Sequence, residues 1–115
     1  MALTIKLKAY NYDVVWAGDG ATAMTAAVRE KPDAVVLDLG LPGGDGFVVL
    51  QRFNSSTSTI GIPVVVVSAR EPLVNRPKAL EAGAIAFLQK PVKTDELLQA
   101  LRKALTHEPA GADRP

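Results

Sequence analysis

Short runs of β-branched apolar residues alternate along the chain with segments whose apolar positions repeat every three or four residues. The runs predict strands at residues 12–17, 34–39, 62–68 and 84–88, and the periodic segments predict helices at residues 21–30, 46–53, 76–82 and 94–106. The valines at 35–36 and 64–67 leave no polar face, which is typical of parallel strands covered by helices on both sides. We therefore expect an α/β fold.

The two ends of the chain have less regular patterns. Leu3 and Leu7 lie four apart, as on a helix face, but Leu3, Ile5 and Leu7 also alternate as in a strand. Both interpretations stay open, and helix is favoured. Residues 107–115 mix Pro, Gly and charge without periodicity, so we expect one folded domain over residues 1–106 and a flexible tail over 107–115.

Composition excludes several kinds of chemistry. The 115 residues carry a formal charge of +1, no Cys and a single His, His107. Thiolate metal sites, disulfides and Cys nucleophiles are excluded, and the absence of a Lys/Arg run argues against direct nucleic-acid binding. No stretch has the length of a membrane span and no signal peptide is evident, so we expect a cytoplasmic protein without a membrane partner.

Three polar side chains end three consecutive predicted strands. They are Asp38, Ser68 and Lys90, and Pro91 follows the last of them. Ligands of open parallel sheets bind outside the carboxyl ends of the strands, so these side chains should meet there. A carboxylate can be a phosphoryl nucleophile, and a hydroxyl and an ammonium can bind the oxygens of the transferred group. Each residue alone could equally be a turn, cap or solvated surface residue.

Motifs around these residues resemble those of the receiver domains of two-component response regulators. The matching segments are Asp38-Leu-Gly-Leu-Pro-Gly-Gly-Asp-Gly46, Val64-Val-Val-Val-Ser-Ala69 and Phe87-Leu-Gln-Lys-Pro91. The spacings of 30 positions from Asp38 to Ser68 and 52 from Asp38 to Lys90 also agree with that family. The resemblance covers most of the chain and implies a flavodoxin-like, receiver-type fold.

The resemblance implies a signalling module rather than an enzyme. Asp38 would accept a phosphoryl group from a histidine kinase or phosphotransfer protein, and Ser68 and Lys90 would bind it. Phe87 takes the position of the family's switch aromatic, although ordinary core packing explains a Phe there equally well. Lys90-Pro91 would carry the family's cis bond, and a downstream protein would bind the surface around residues 70–78.

The chain departs from the family at its N-terminus. The first strand and the acidic pair that ends it fall before Met1 when the motifs are aligned on Asp38. A strand from residues 3–8, an element swapped in a homodimer, or direct pairing of the flanking strands would fill the gap. The resemblance then leaves Asp38 and the backbone oxygen of Gly40 as magnesium ligands, which predicts weak or absent Mg²⁺ binding.

Two alternative functions follow from these residues. The first is a degenerate receiver, which would act as an interaction or dimerisation module without phosphotransfer. The second is a dinucleotide-binding half-domain, because Gly18-Asp-Gly-Ala-Thr-Ala23 fits a glycine fingerprint between a predicted strand and a helix. That second alternative leaves Ser68 and Lys90 without a role. Asp45 is predicted to cap the helix that begins at Gly46.

Overall fold

Helices and strands alternate through the computed structural model, which describes residues 17–40 and 46–106. The helices are α1 (Gly20–Glu30), α2 (Gly46–Ser55), α3 (Pro72–Glu81) and α4 (Thr94–Thr106). The strands are β1 (Val35–Asp38), β2 (Val64–Ser68) and β3 (Ala86–Gln89). No helix within these ranges is long and apolar enough to cross a membrane.

The three described strands form a parallel sheet in the order β1-β2-β3. Asp38 is in register with Val67, and Ser68 is in register with Gln89. Every residue of β2 is buried, as the valines at 64–67 predict for a strand with neighbours on both edges and helices on both faces. The α/β fold is confirmed.

Alternate residues of the strands pack into cores on opposite faces of the sheet. Leu37, Val66 and Phe87 contribute to one core, which helices α1, α2 and α3 complete with Ala27, Phe53, Ala79 and others. Val36, Val65 and Leu88 pack on the other face, against Leu97, Ala100, Leu101 and Ala104 of α4. The sheet therefore carries helices on both of its faces.

Helix α3 differs from its prediction, which was residues 76–82. The helix begins at Pro72, with the Glu71 side chain accepting a hydrogen bond from the Leu73 N–H at 3.0 Å. Proline is suited to the first helical position, where its missing N–H has no intrahelical partner. Pro77 lies inside the helix, where the prediction of 76–82 also placed it, whereas Pro72 lies before the predicted start.

Smaller differences concern the ends of other elements. Helix α2 continues to Ser55, and the buried hydroxyl of Thr59 donates to the Phe53 carbonyl at 2.9 Å, which closes the turn after the helix. Strand β3 begins at 86 rather than 84, because the Ala84 N–H is bonded to the Ala79 carbonyl of α3. Helix α4 has the predicted bounds.

Several predictions lie outside the described residues. They are the strand at 12–17 except Ala17, the helix or strand at the N-terminus, the loop with Asp45, the tail, and whatever replaces the family's first strand.

Candidate functional site

The carboxyl ends of the three strands bring the predicted site residues to one edge of the sheet. Asp38 ends β1, Ser68 ends β2 and Lys90 directly follows β3. The Lys90 ammonium reaches past the end of the middle strand and forms an ion pair with Asp38 Oδ2. Residues 52 positions apart are therefore in direct contact, as the strand order requires.

Asp38 uses both carboxylate oxygens. Oδ2 meets Lys90, and Oδ1 accepts a hydrogen bond from the Gly40 N–H at 2.8 Å. The Asp38 side chain is 33% exposed and that of Lys90 is 38% exposed. A carboxylate held by two donors yet open to solvent can meet an incoming group without rearrangement of the core.

Ser68 lies close by in the sheet but is bonded elsewhere. The residue is 1% exposed, and its Oγ accepts a hydrogen bond from the Arg70 N–H at 2.9 Å. Its carbonyl accepts one from the Lys90 N–H at 2.8 Å. The backbone of Ser68 thus positions Lys90, while its hydroxyl is directed to the loop that follows β2.

Phe87 and Pro91 complete the set of predicted residues. Phe87 is buried in the core beneath α3, and the Arg76 guanidinium carbon lies 5.7 Å from the centre of its ring. The peptide bond between Lys90 and Pro91 is cis. Phe87 therefore has the inward, packed position that ordinary core packing also predicts.

The structure contains contacts between cations and aromatic rings that the sequence did not predict. Lys78 Nζ lies 4.5 Å and Arg70 Cζ 5.6 Å from the centre of the Phe47 ring. The four charged residues Arg70, Glu71, Arg76 and Lys78 belong to the surface at residues 70–78 that the family resemblance assigned to a downstream protein. All four are exposed, but three stack on rings and Glu71 caps α3. No spacing signals these contacts, because they join residues of different elements.

Helix α2 begins against the segment that follows Asp38. A Cβ added to Gly46 would lie 2.5 Å from the Leu39 Cα and 2.7 Å from its carbonyl oxygen. Only glycine permits this approach, since real Cβ atoms do not come so near to backbone. Gly46 therefore sets the distance between α2 and the residue next to Asp38.

The oxygen donors at this edge fit magnesium in type. The ion takes carboxylate and carbonyl oxygens and keeps waters, so one carboxylate with phosphate and water can suffice. Asp38 supplies a carboxylate, and Gly40 is exposed beside it. Within the described ranges, no group of three or more His, Cys, Asp or Glu is placed to hold a metal ion.

The glycine fingerprint at residues 18–23 has a different role in the structure. Asp19 is the N-cap of α1, and its Oδ1 accepts a hydrogen bond from the Thr22 N–H at 2.7 Å. This hydrogen bond lowers the pKa of Asp19 below its ordinary value of 3.8. A carboxylate of the chain itself occupies the position where a dinucleotide phosphate would bind, which argues against the dinucleotide alternative.

Most of the chain is similar in sequence to known response regulators. The response regulator PleD of Caulobacter vibrioides is 41% identical over 104 residues, covering 90% of this chain and 23% of PleD. The transcriptional regulatory protein KdpE of Mycobacterium tuberculosis is 40% identical over 112 residues, covering 97% of this chain and 48% of KdpE. The chain thus spans less than half the length of these relatives.

Solved structures agree with the sequence relatives. A response regulator from Chloroflexus aurantiacus has a TM-score of 0.86 at 28% identity, covering 92% of this chain and 87% of that one. The receiver domain of sensor histidine kinase PA1611 from Pseudomonas aeruginosa, which has a magnesium ion in its active site cleft, has a TM-score of 0.82 at 26% identity, with the same coverage.

The sequence model of the response regulator receiver domain matches residues 1–102. The predicted resemblance is confirmed, and with it the flavodoxin-like fold class. The chain belongs to the family of response regulator receiver domains, the signalling modules of two-component systems.

Proposed function

We propose that Asp38 accepts a phosphoryl group and that Ser68 and Lys90 bind its oxygens. The observation that carries the proposal is the ion pair between Lys90 and Asp38 at the carboxyl edge of the sheet. A cation held beside a carboxylate can stabilise negative charge that develops on a transferred phosphoryl group. The family membership supports the same roles for these residues.

The transfer itself exchanges one bond to phosphorus for another. A carboxylate oxygen of Asp38 bonds to phosphorus while the phosphorus–nitrogen bond of a phosphohistidine breaks. The imidazole nitrogen leaves with the electron pair of that bond and takes up a proton. Lys90 stays beside the new acyl phosphate as its cation, and the Ser68 hydroxyl donates to a phosphoryl oxygen after leaving the Arg70 N–H.

Magnesium would be held by the Asp38 carboxylate, the Gly40 carbonyl and water. When bound, the ion supplies neutralisation of the negative phosphoryl oxygens. With one carboxylate in this set we propose weak binding, so Mg²⁺ should act at high concentration. The magnesium seen in the PA1611 receiver domain supports an ion at this edge of the sheet.

The partners follow from the chemistry and the family. We propose a histidine kinase or phosphotransfer protein as phosphodonor, a downstream protein as the reader of the phosphorylated state, and the cytoplasm as the location. The surface formed by α3 and β3 would carry the signal, because α3 follows directly from the loop that bonds the Ser68 hydroxyl.

Intact-protein mass spectrometry tests the proposal. Wild type, Asp38→Asn and the control Asp33→Asn are incubated with acetyl phosphate, with and without magnesium. Asp33 is exposed and precedes β1, so its variant should gain one phosphoryl group like wild type. Asp38→Asn should gain none. Absence of an adduct on wild type would contradict the proposal and leave the interaction module without phosphotransfer as the function.

A further inference from the structure

The ring of Phe47 contacts two cations, and both belong to the chain that follows β2. Lys78 Nζ lies 4.5 Å from the ring centre and Arg70 Cζ 5.6 Å from it. Phe47 is itself buried, in the same core as Leu39 and Phe87. A cation within about 6 Å of an aromatic ring centre is attracted to the ring. The ring therefore connects the loop at residues 69–71, and α3, to the start of α2.

The backbone of Arg70 is bonded in the opposite direction, to Ser68. Its N–H donates to Ser68 Oγ at 2.9 Å. One residue thus contacts the hydroxyl through its backbone and α2 through its guanidinium. For Ser68 Oγ to move toward Asp38, this hydrogen bond must break or the loop must move with the hydroxyl. A restraint on the loop is therefore also a restraint on the hydroxyl.

We infer that Phe47 is a positioning residue for Ser68: its ring holds the Arg70 loop, and with it the hydrogen bond that keeps Ser68 Oγ on the Arg70 N–H. The inference rests on the proposed function where it assigns the released hydroxyl to a phosphoryl group. The restraint itself is a property of the unphosphorylated chain. Loss of one cation–π contact corresponds to about a two- to fivefold change in the population of the released loop.

Residue-resolved amide hydrogen exchange on the unphosphorylated full chain tests the restraint. Phe47→Leu removes the ring and keeps an apolar side chain, while Phe47→Tyr keeps the ring. Arg70→Met removes the cation and Arg70→Lys keeps it. After correction for intrinsic rates, exchange of the residue-70 amide should rise about two- to fivefold in Phe47→Leu and Arg70→Met. It should stay near the wild-type rate in the two conservative variants.

The amide of Val66, in the middle of β2, is the internal reference for global stability. An unchanged residue-70 rate in Arg70→Met and Phe47→Leu would overturn the inference, and so would an equal rise at residues 70 and 66. Arg70 is exposed, so its variants remain informative if Phe47→Leu does not fold.

The rate of phosphorylation by acetyl phosphate tests the connection to the proposed function. It should rise about two- to fivefold in Arg70→Met and not in Arg70→Lys, because the hydroxyl is released more often. A faster amide exchange with an unchanged phosphorylation rate would overturn the role of this restraint in the phosphorylation of Asp38. A wild type that gains no phosphoryl group would instead overturn the proposed function, while the exchange data would still decide the restraint.

Discussion

Lys90 and Asp38 form an ion pair whose two side chains are each about one third exposed. Pairs with this exposure contribute only about 0–1 kcal/mol to stability, because water screens the charges. A charge placed beside a phosphoryl group can have a much larger effect on the rate of transfer. Stability and phosphorylation should therefore respond differently when this lysine is changed.

Replacing Lys90 by Gln tests that difference. We expect the free energy of unfolding to change by less than about 1 kcal/mol. The rate of Asp38 phosphorylation by acetyl phosphate should fall by about 100-fold, since one stabiliser of the transferred charge is lost. Lys93→Gln, at an exposed position shortly after, is the matched control and should leave both quantities near wild type. A phosphorylation rate unaffected by Lys90→Gln would contradict a role in transfer.

Gly46 lies where α2 meets Leu39, and Gly46→Ala should be destabilising. The added Cβ would stand 2.5 Å from the Leu39 Cα, so the helix or the segment beside Asp38 must shift. Forced overpacking of this kind costs about 1–3 kcal/mol, measurable by urea denaturation. Gly18→Ala is the control, because nothing lies within 4 Å of a Cβ at that position. Equal stability of the two variants would show that α2 can move freely.

The meeting of Asp38, Ser68 and Lys90 at the strand ends could be predicted, but the contacts of the surrounding loop and helices could not. Asp38, Ser68 and Lys90 were found because strand ends and motif spacing depend only on the order of residues in the chain. The bond from Arg70 to Ser68 Oγ and the cations over Phe47 depend on how α2 and α3 pack. No short-range pattern encodes that packing.

At the scale of elements, α1 depends on its N-cap. Asp19 accepts a hydrogen bond from the Thr22 N–H, and the C-cap residue Lys31 follows the helix with a φ of 50°, in the left-handed region. A carboxylate at this position satisfies a helix N–H and also lies favourably at the positive end of the helix dipole. Protonation of Asp19 weakens both interactions.

The pH dependence of stability should therefore include Asp19. The folded chain lowers the pKa of this group below 3.8, so its contribution is present above the unfolded value and is lost as pH falls through the folded one. The stability difference between wild type and Asp19→Ala should shrink across that acidic window in urea titrations. Asp19→Asn keeps the cap without titrating, so its stability should lack this acidic component. A difference from Asp19→Ala that is constant with pH would contradict the assignment.

The ends of the helices were predicted best where the local sequence signal is strongest. Helix α4 was predicted to the residue because its acidic first turn and its leucine stripe both mark the helix clearly. Helix α3 was predicted four residues too short at its start, because Glu71 is not a usual N-cap residue and gives no start signal before Pro72. The Glu71 cap of this helix and its contact with β3 are seen only in the folded structure.

At the scale of the molecule, β2 is the centre of the described structure. It pairs with β1 and β3, and helices pack on both of its faces. A strand with this position can expose its amides only when most of the domain opens. The sequence predicted the helices on both faces of this strand, because a run of four valines leaves it no polar face.

Native-state hydrogen exchange should reflect that position. The amides of Val65 and Val66 should exchange only by global unfolding, with protection equal to the free energy of unfolding from urea denaturation. Amides at the start of α3, where Leu73 and Val74 are 86% and 66% exposed, should exchange through smaller openings. Lower protection in β2 than in α3 would contradict a sheet-centred core.

The separation of 52 residues between Asp38 and Lys90 also concerns the order of folding. Contacts between distant residues must overcome the entropy of closing a long loop, so they form late. A chain that has emerged only as far as β2 during synthesis contains Asp38 without its cation. We therefore expect Asp38 to become able to accept a phosphoryl group only when β3 docks. A newly made receiver should not respond to its phosphodonor until its sheet is assembled.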